Sequence, residues 1–293
     1  MGSRRTLILL PLLLLHSPAA PPCTAAPLPP VAAPPATSDG GICVTLVAPR
    51  GYGCREFQVT TPDGFVLSLQ RIQEDRPGVA GETNTPRPPV ILQHGVLVDG
   101  RTWLLNPSEQ NLPFILADSG FDVWISNARG TTFSRKHLTL DPKSPEFWNW
   151  SWDEMATYDL PAVFGFVFNQ THRKIHYVGH SQGTLTMLAA LSEGKLVEQQ
   201  LLGSAVLLSP VAFLNHMTTP LGVAAAKSLV GEITKLLGFA EFNPRGKVVD
   251  EFLQPFCMNP GVDCYDLLTA LTGKNCCLNS STVNLFLKNE PQS

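Results

Sequence analysis

Residues 174–191 read KIHYVGHSQGTLTMLAAL, and this stretch decides the fold of the chain. Lys174 to Val178 is typical of a buried strand, and Thr184 to Leu191 is typical of a helix. Between them, Gly179 to Gly183 matches G-x-S-x-G, in which two glycines remove the side chains that would collide in a sharp strand-to-helix turn. The pattern predicts that Ser181 stands on a strained turn as an exposed nucleophile.

Strands and helices alternate outward from this turn. This alternation predicts an α/β core over 41–210, with a mostly parallel sheet covered on both faces. The alternation of strands and helices stops after Pro210, so residues 211–293 are predicted to be part of a cap or lid. The predicted strands are Glu56–Thr61, Phe65–Ile72, Pro89–His94, Phe121–Ser126, Lys174–Val178 and Ser204–Leu208, and the predicted helices are Leu112–Asp118, Trp152–Phe168 and Thr184–Leu191.

A second loop with a chemical role follows the predicted strand that ends at His94. In α/β folds with a serine nucleophile, two backbone N–H groups bind the oxyanion. One belongs to the residue after the nucleophile, here Gln182, and the other to the loop after the third strand, here Val96. We expect His94 to hold this loop by hydrogen bonds rather than to act as a base.

The N-terminus has the layout of a secretory signal peptide, predicted over 1–26. Arg4 and Arg5 precede an apolar stretch from Leu7 to Leu15, and small residues follow. That stretch is too short to cross the roughly 30 Å of bilayer hydrocarbon, so no transmembrane segment is expected after cleavage. Residues 27–40 form a leader rich in Pro and Ala. We expect export through the secretory pathway to an extracellular, vacuolar or lysosomal site.

The chain has seven cysteines, of which Cys23 leaves with the signal peptide. An even number remains, which in an exported protein indicates disulfides without revealing their pairing. Cys43 and Cys54 flank a Gly-rich turn and can pair locally. For the other four a zinc site is the alternative, although no histidine lies nearby and export favours oxidation. The six disulfide candidates are Cys43, Cys54, Cys257, Cys264, Cys276 and Cys277.

Glycosylation sequons and composition agree with an exported globular protein. Asn149, Asn169 and Asn279 each begin an N-x-S/T acceptor pattern. The net charge is -3 and hydrophobic residues make up 44% of the chain. The composition supports a large core, and no basic stripe is present, so a nucleic-acid partner is excluded.

Several motifs together resemble the acid lipase family of gastric, lysosomal and plant triacylglycerol lipases. The stretch Leu214–Pro220 most resembles the plant members. The resemblance implies the α/β-hydrolase fold, a cap that governs access, and neutral lipid esters taken from a lipid–water interface. It also implies structural roles for Arg129-Gly130 and Asp153-Glu154. The matching stretches are Thr61–Leu67, Gln93–Leu97, Asp122–Gly130, Phe147–Met155, Tyr158–Pro161, Gly179–Gly183 and Leu208–Pro210.

The catalytic partners of Ser181 do not follow it in the expected order. In this fold an Asp or Glu and then a His come after the nucleophile. Here the only later histidine is His216, and the aspartates Asp250, Asp263 and Asp266 all follow it. We expect the missing pair on two further strands beyond residue 293, and therefore little activity from this chain alone.

The leading hypothesis is a serine ester hydrolase of triacylglycerols or sterol esters. No metal or organic cofactor is implied, because serine ester hydrolysis needs none. A carboxylesterase for smaller or more polar esters is the close alternative. The alternative from another class is a non-catalytic lipid-binding protein that keeps the apolar pocket and lacks the triad.

Overall fold

A computed structural model describes residues 40–74, 86–196 and 200–212, together with Thr282 and Phe286. The predicted signal peptide, nearly all of the leader and nearly all of the cap lie outside the described residues. The same holds for four of the six disulfide candidates and for one sequon, namely Cys257, Cys264, Cys276, Cys277 and Asn279.

The described strands are β1 (Gly53–Thr60), β2 (Val66–Glu74), β3 (Pro89–Gln93), β4 (Asp122–Ser126), β5 (Ile175–His180) and β6 (Leu202–Leu208). They form one sheet in the order β1-β2-β4-β3-β5-β6. β1 and β2 form an antiparallel hairpin, and β2 is also antiparallel to β4. The four strands β4, β3, β5 and β6 run parallel to one another. The predicted mostly parallel sheet is therefore confirmed.

All three predicted helices are present, with different bounds for two of them. The predicted helix over Trp152–Phe168 is divided by a π turn, Met155–Asp159, into α2 (Trp152–Glu154) and α3 (Leu160–Thr171). The helices are α1 (Leu112–Asp118), α2 (Trp152–Glu154), α3 (Leu160–Thr171) and α4 (Gln182–Ser192). Shorter turns are a π turn at Cys43–Val47 and 3-10 turns at Ala48–Arg50, Gly100–Leu104, Ser108–Gln110, Thr132–Ser134 and Pro145–Trp148.

Local hydrogen bonds explain where α2 begins. Ser151 caps the helix by accepting a hydrogen bond from Asp153 N at 3.0 Å. Glu154 Oε2 accepts a hydrogen bond from Ser151 N at 2.6 Å, which completes a capping box. Asp153 thus donates its backbone N–H to the cap, and Glu154 accepts with its side chain. This arrangement agrees with the structural role that the family resemblance implied for Asp153-Glu154.

The core lies on both faces of the sheet because successive strand residues point to opposite sides. Ile91, Trp124 and Tyr177 belong to the cluster that α3 and α4 cover. Leu92 and Ile125, their chain neighbours, belong to the cluster that α1 covers. Every residue of β3 and β4 is buried, so these central strands hold the site rigidly.

A disulfide joins Cys43 to Cys54, with their Cα atoms 5.3 Å apart. The sequence left this pairing open. The bond ties the π turn at Cys43–Val47 to the start of β1, and Glu56 Oε1 accepts a hydrogen bond from Cys43 N at 2.9 Å in the same place. None of the described helices is both long and apolar enough to span a membrane.

Candidate active site

Ser181 stands on a sharp turn between β5 and α4. Its backbone has φ 51° and ψ -114°, a conformation that L-residues rarely adopt and that costs on the order of 1–3 kcal/mol. A Cβ atom on Gly179 would lie 2.8 Å from the carbonyl oxygen of Gly183. A Cβ atom on Gly183 would lie 2.7 Å from the carbonyl oxygen of Gln93. Both positions therefore require glycine, as the G-x-S-x-G pattern predicts.

Hydrogen bonds hold this strained turn, which we call the elbow (Gly179–Gly183). Ser181 N donates to the carbonyl oxygen of Leu208 at 3.0 Å, across to the end of β6. Thr184 Oγ1 donates to the carbonyl oxygen of Ser181 at 2.6 Å and accepts from Val211 N at 2.8 Å. The elbow is thus fastened to the chain that leaves the sheet after β6.

Tyr177 supports the elbow from below. Its hydroxyl donates to the carbonyl oxygen of Gly183 at 2.7 Å. Burial raises the pKa of Tyr177, so this donor keeps its proton throughout the ordinary pH range. Neither Tyr177 nor Thr184 was predicted from the sequence as a residue of the site. Their nearness to the motif was the one available signal, since a side chain beside a strained turn can bond its backbone.

The loop His94–Leu97 passes directly against the elbow. A Cβ atom on Gly95 would lie 3.1 Å from Ser181 Cβ. Val96 is next in the chain and is 55% exposed. Gln182 is the first residue of α4, so its N–H has no acceptor within the helix and lies at the positive end of the helix dipole. The structure therefore brings the two predicted oxyanion-binding segments together beside Ser181.

His94 holds this loop in place. Its Nδ1–H donates to the carbonyl oxygen of Gly95 at 2.7 Å, and its Nε2 accepts from Ala128 N at 3.0 Å. The ring is 2% exposed, and this burial lowers the pKa of His94, which keeps the imidazole neutral. Because both ring nitrogens bond to the backbone, the arrangement agrees with the structural role expected from the sequence.

The other described histidines near strand ends also have partners of their own. His137 Nε2 bonds to the carbonyl oxygen of Asp63 at 2.8 Å. His176 Nδ1 lies 2.8 Å from Ser204 Oγ. The His180 ring packs against the Trp103 ring with centroids 6.4 Å apart, and burial lowers the pKa of His180. His216 lies outside the described residues.

A buried ion cluster lies close to the site. The side chain of Arg129 is fully buried between two carboxylates. Its Nε donates to Asp159 Oδ2 at 3.0 Å, and its Nη1 donates to Asp63 Oδ2 at 2.7 Å. This arginine cluster (Arg129, Asp63, Asp159) joins the β1–β2 turn, the loop after β4 and the π turn before α3. The structural role that the resemblance implied for Arg129 agrees with this geometry.

The guanidinium of Arg129 forms hydrogen bonds with both carboxylates of the cluster, but the pKa values of the two carboxylates are shifted in opposite directions. Burial raises the pKa of Asp159 to about 6, although the hydrogen bonds and charge of Arg129 act against it. Burial also opposes ionisation of Asp63, but hydrogen bonds from Arg129 and Thr61 lower its pKa overall. Ionisation is therefore disfavoured at Asp159, which is the more deeply buried of the two carboxylates.

The described sequons lie at the surface, where glycosylation requires them. Asn149 and Asn169 are both exposed, and Asn169 lies near the end of α3.

No group of three His, Cys, Asp or Glu side chains converges as a metal site in the part of the chain that the structure describes.

Comparison with known proteins places these elements in a family. A family model described as the alpha/beta hydrolase fold matches residues 88–258, and one described as a partial alpha/beta-hydrolase lipase region matches residues 43–107. The first match includes the elbow and the loop His94–Leu97. Together the two matches also include every described strand.

Curated relatives share much of the sequence. Triacylglycerol lipase 2 of Arabidopsis thaliana is 54% identical over 257 residues, which are 88% of this chain and 61% of that protein. Triacylglycerol lipase 1 of the same plant is 38% identical, over 85% of this chain and 62% of that protein. The human lysosomal acid lipase/cholesteryl ester hydrolase is also 38% identical, over 84% of this chain and 62% of that protein.

The chain thus spans 61% to 62% of the length of these relatives. Over that span, the strand-to-helix elbow with its serine and the neighbouring loop lie inside the matched residues. The chain belongs to the α/β-hydrolase family, and its relatives in plants and animals are named as lipases.

Proposed function

We propose that this chain carries the nucleophile and the oxyanion-binding groups of a neutral-lipid ester hydrolase. The observation that carries the proposal is the backbone of Ser181, held at φ 51° and ψ -114° at the start of α4. Strain of this kind persists only where the surrounding structure imposes it, and such strain clusters at active sites. Hydrogen bonds to Thr184, Tyr177 and Leu208 hold the elbow in this strained conformation.

The chemistry proposed is acyl transfer through an acyl-enzyme. Ser181 Oγ attacks the ester carbonyl carbon while a base takes its proton, and the carbonyl oxygen becomes an oxyanion. The N–H groups of Val96 and Gln182 donate to that oxyanion. The intermediate collapses, the proton passes to the departing alcohol, and water then releases the fatty acid by the same steps.

We propose that the base comes from outside the described residues. The imidazole rings of His94, His137 and His176 already form hydrogen bonds with other groups of the protein. An α/β-hydrolase base is a histidine held by an Asp or Glu that follows the nucleophile in the chain. The low activity expected from the 293-residue chain alone stays a prediction, and triolein hydrolysis by the purified chain tests it.

Neutral lipid esters are the proposed substrates for two reasons. The relatives are named as triacylglycerol lipases and as a cholesteryl ester hydrolase. Two apolar side chains also lie near the serine, since Val96 is 55% exposed in the loop beside the elbow and Trp103 packs against His180, the chain neighbour of Ser181. An apolar wall suits an acyl chain better than a charged substrate.

We also propose that the protein passes through the secretory pathway. The Cys43–Cys54 disulfide needs an oxidising compartment to form and persist. The exposed positions of Asn149 and Asn169 allow an oligosaccharide to be attached without loss of packing. Peptide mapping of protein from a secretory host, with and without glycosidase, tests occupancy at both sites.

The main test is release of fatty acid from emulsified triolein and cholesteryl oleate by protein expressed from the native gene. Ser181→Ala should lower the rate by on the order of 10⁴-fold or more, as loss of a serine nucleophile does. The matched control is Ser204→Ala, which removes an exposed serine on β6 and should leave the rate unchanged. Full activity in the Ser181→Ala protein would overturn the proposal.

The remaining alternatives are separate outcomes of this test. Hydrolysis of p-nitrophenyl acetate that depends on Ser181, with no hydrolysis of either lipid, would indicate a carboxylesterase. Tight binding of a non-hydrolysable ether analogue of triolein, with no hydrolysis of any ester, would indicate the lipid-binding alternative. Either result would contradict the lipase assignment.

A further inference from the structure

A small internal cavity lies under the elbow. Its volume is about 10 Å³, which is about the room that one water molecule requires. Its wall includes Gln93 at the end of β3, Asp159 before α3 and Thr186 on α4. A Cβ atom on Gly183 would lie 3.0 Å from Gln93 Cγ. The glutamine side chain therefore packs directly beneath the turn that carries Ser181.

The amide of Gln93 is the unusual feature of this cavity. The residue is 5% exposed, and its Nε2 is buried with no hydrogen-bond partner among the residues that the structure describes. Buried side-chain donors nearly always have a partner in folded proteins, either protein or ordered water. An unpartnered amide at the wall of a water-sized cavity therefore points to a bound molecule.

Acceptors line the same cavity. The Asp159 carboxylate receives Arg129 Nε at 3.0 Å on both oxygens, and each oxygen retains further acceptor capacity. Thr186 Oγ1 donates to the carbonyl oxygen of Gln182 at 3.1 Å, and the lone pairs of the hydroxyl can still accept. One donor and two kinds of acceptor thus meet the requirement of two to four polar partners for a buried water.

We propose that this cavity binds one water molecule, which accepts a hydrogen bond from Gln93 Nε2 and donates one to the Asp159 carboxylate. The water connects β3 to the arginine cluster. Because Gln93 directly precedes His94, Gly95 and Val96, the bridge makes Gln93 a positioning residue for the loop beside Ser181. The proposal rests on the cavity and its wall, and it does not depend on ester hydrolysis.

The direct test is NMR on the intact chain labelled with ¹⁵N. We expect cross-peaks between the Gln93 side-chain amide protons and a long-lived water. The Gln93→Met variant keeps a side chain of similar length and has no donor. The matched control is Gln58→Met, which changes an exposed glutamine on β1. The control should retain the water cross-peaks at Gln93.

A second readout separates this bridge from simple packing. The carboxyl ¹³C signal of Asp159 should titrate to a higher pH midpoint in Gln93→Met, because its ionised form loses a water donor while Arg129 and Asp63 stay in place. Gln58→Met should leave the midpoint unchanged. Absence of the water cross-peak in the wild-type chain, or an unchanged Asp159 midpoint in folded Gln93→Met, would overturn the proposal. If Gln93→Met does not fold, the wild-type cross-peak alone decides.

Discussion

The elbow and the arginine cluster are two buried polar regions that hold the same end of the sheet by different means. The elbow relies on neutral hydrogen bonds to its backbone. Thr184 Oγ1 donates to the carbonyl oxygen of Ser181 at 2.6 Å, and Ser181 N donates to the carbonyl oxygen of Leu208 at 3.0 Å. The cluster relies on charges brought from positions 30 and 66 residues away from Arg129. The comparison shows that a short motif can encode strain, whereas a buried ion network needs the completed fold.

Arg129→Met should produce the largest effect, and it tests whether the cluster supports the fold. The substitution leaves Asp63 and Asp159 without their cation, and breaking a buried pair in this way costs about 3–5 kcal/mol. Urea unfolding of the purified chain measures the free-energy change. Arg55→Met, at an exposed position on β1, is the control and should change stability by less than about 0.5 kcal/mol. A similarly small change in Arg129→Met would show that the cluster is dispensable.

Gly183→Ala tests the elbow in the same comparison. The added Cβ would lie 2.7 Å from the carbonyl oxygen of Gln93, so the turn or β3 must shift. A displacement of this kind lowers kcat/KM by about 10²-fold in enzymes, and we expect that loss in protein expressed from the native gene. Gly165→Ala on α3 is the control, because its Cβ would meet nothing within 4 Å. That control should keep full activity and gain about 0.5–1 kcal/mol of stability.

Thr184→Val tests the fastening of the elbow without adding bulk. It removes the donor to the Ser181 carbonyl oxygen and the acceptor for Val211 N. Leaving such groups unsatisfied costs about 1–3 kcal/mol, which differential scanning calorimetry measures. Thr184→Ser keeps the hydroxyl and should restore most of the stability. Equal destabilisation by both variants would assign the effect to packing of the methyl group.

The most gradual of the expected effects is a pH dependence from Asp159. Its folded pKa is raised to about 6 from the ordinary value of 3.8. A raised carboxyl pKa gives stability that is fully present below about pH 4 and is lost as pH rises through 6. The slope contributed by one proton is at most about 1.4 kcal/mol per pH unit.

Asp159→Asn should flatten the unfolding free energy between pH 4 and 6. Asp141→Asn, which changes an exposed carboxylate, should leave the curve of the wild-type chain intact. The measurement is urea unfolding at a series of pH values. An unchanged slope in Asp159→Asn would mean that the proton is held elsewhere in the cluster.

The helices and strands could be predicted because the residue pattern that indicates each one lies within a few positions of the chain. The sequence predicted α1 at Leu112–Asp118, and the structure has the same bounds. α4 begins at Gln182, two residues before the prediction, because helix composition does not show where a strained turn ends. The π turn Met155–Asp159 inside the predicted helix also went unforeseen. A π turn leaves the apolar spacing of a helix almost unchanged, so the pattern does not reveal it.

The sequence by itself determined the alternating architecture, the place of Ser181 and the two loops that meet beside it. These follow from hydrophobic periodicity and from glycines whose neighbours lie close in the chain. Only the tertiary structure decided the Cys43–Cys54 pairing, the bond from Val211 N to Thr184 Oγ1, and the burial that raises the pKa of Asp159 to about 6. The physical reason is distance along the chain, because desolvation and long-range partners exist only once separate elements pack together.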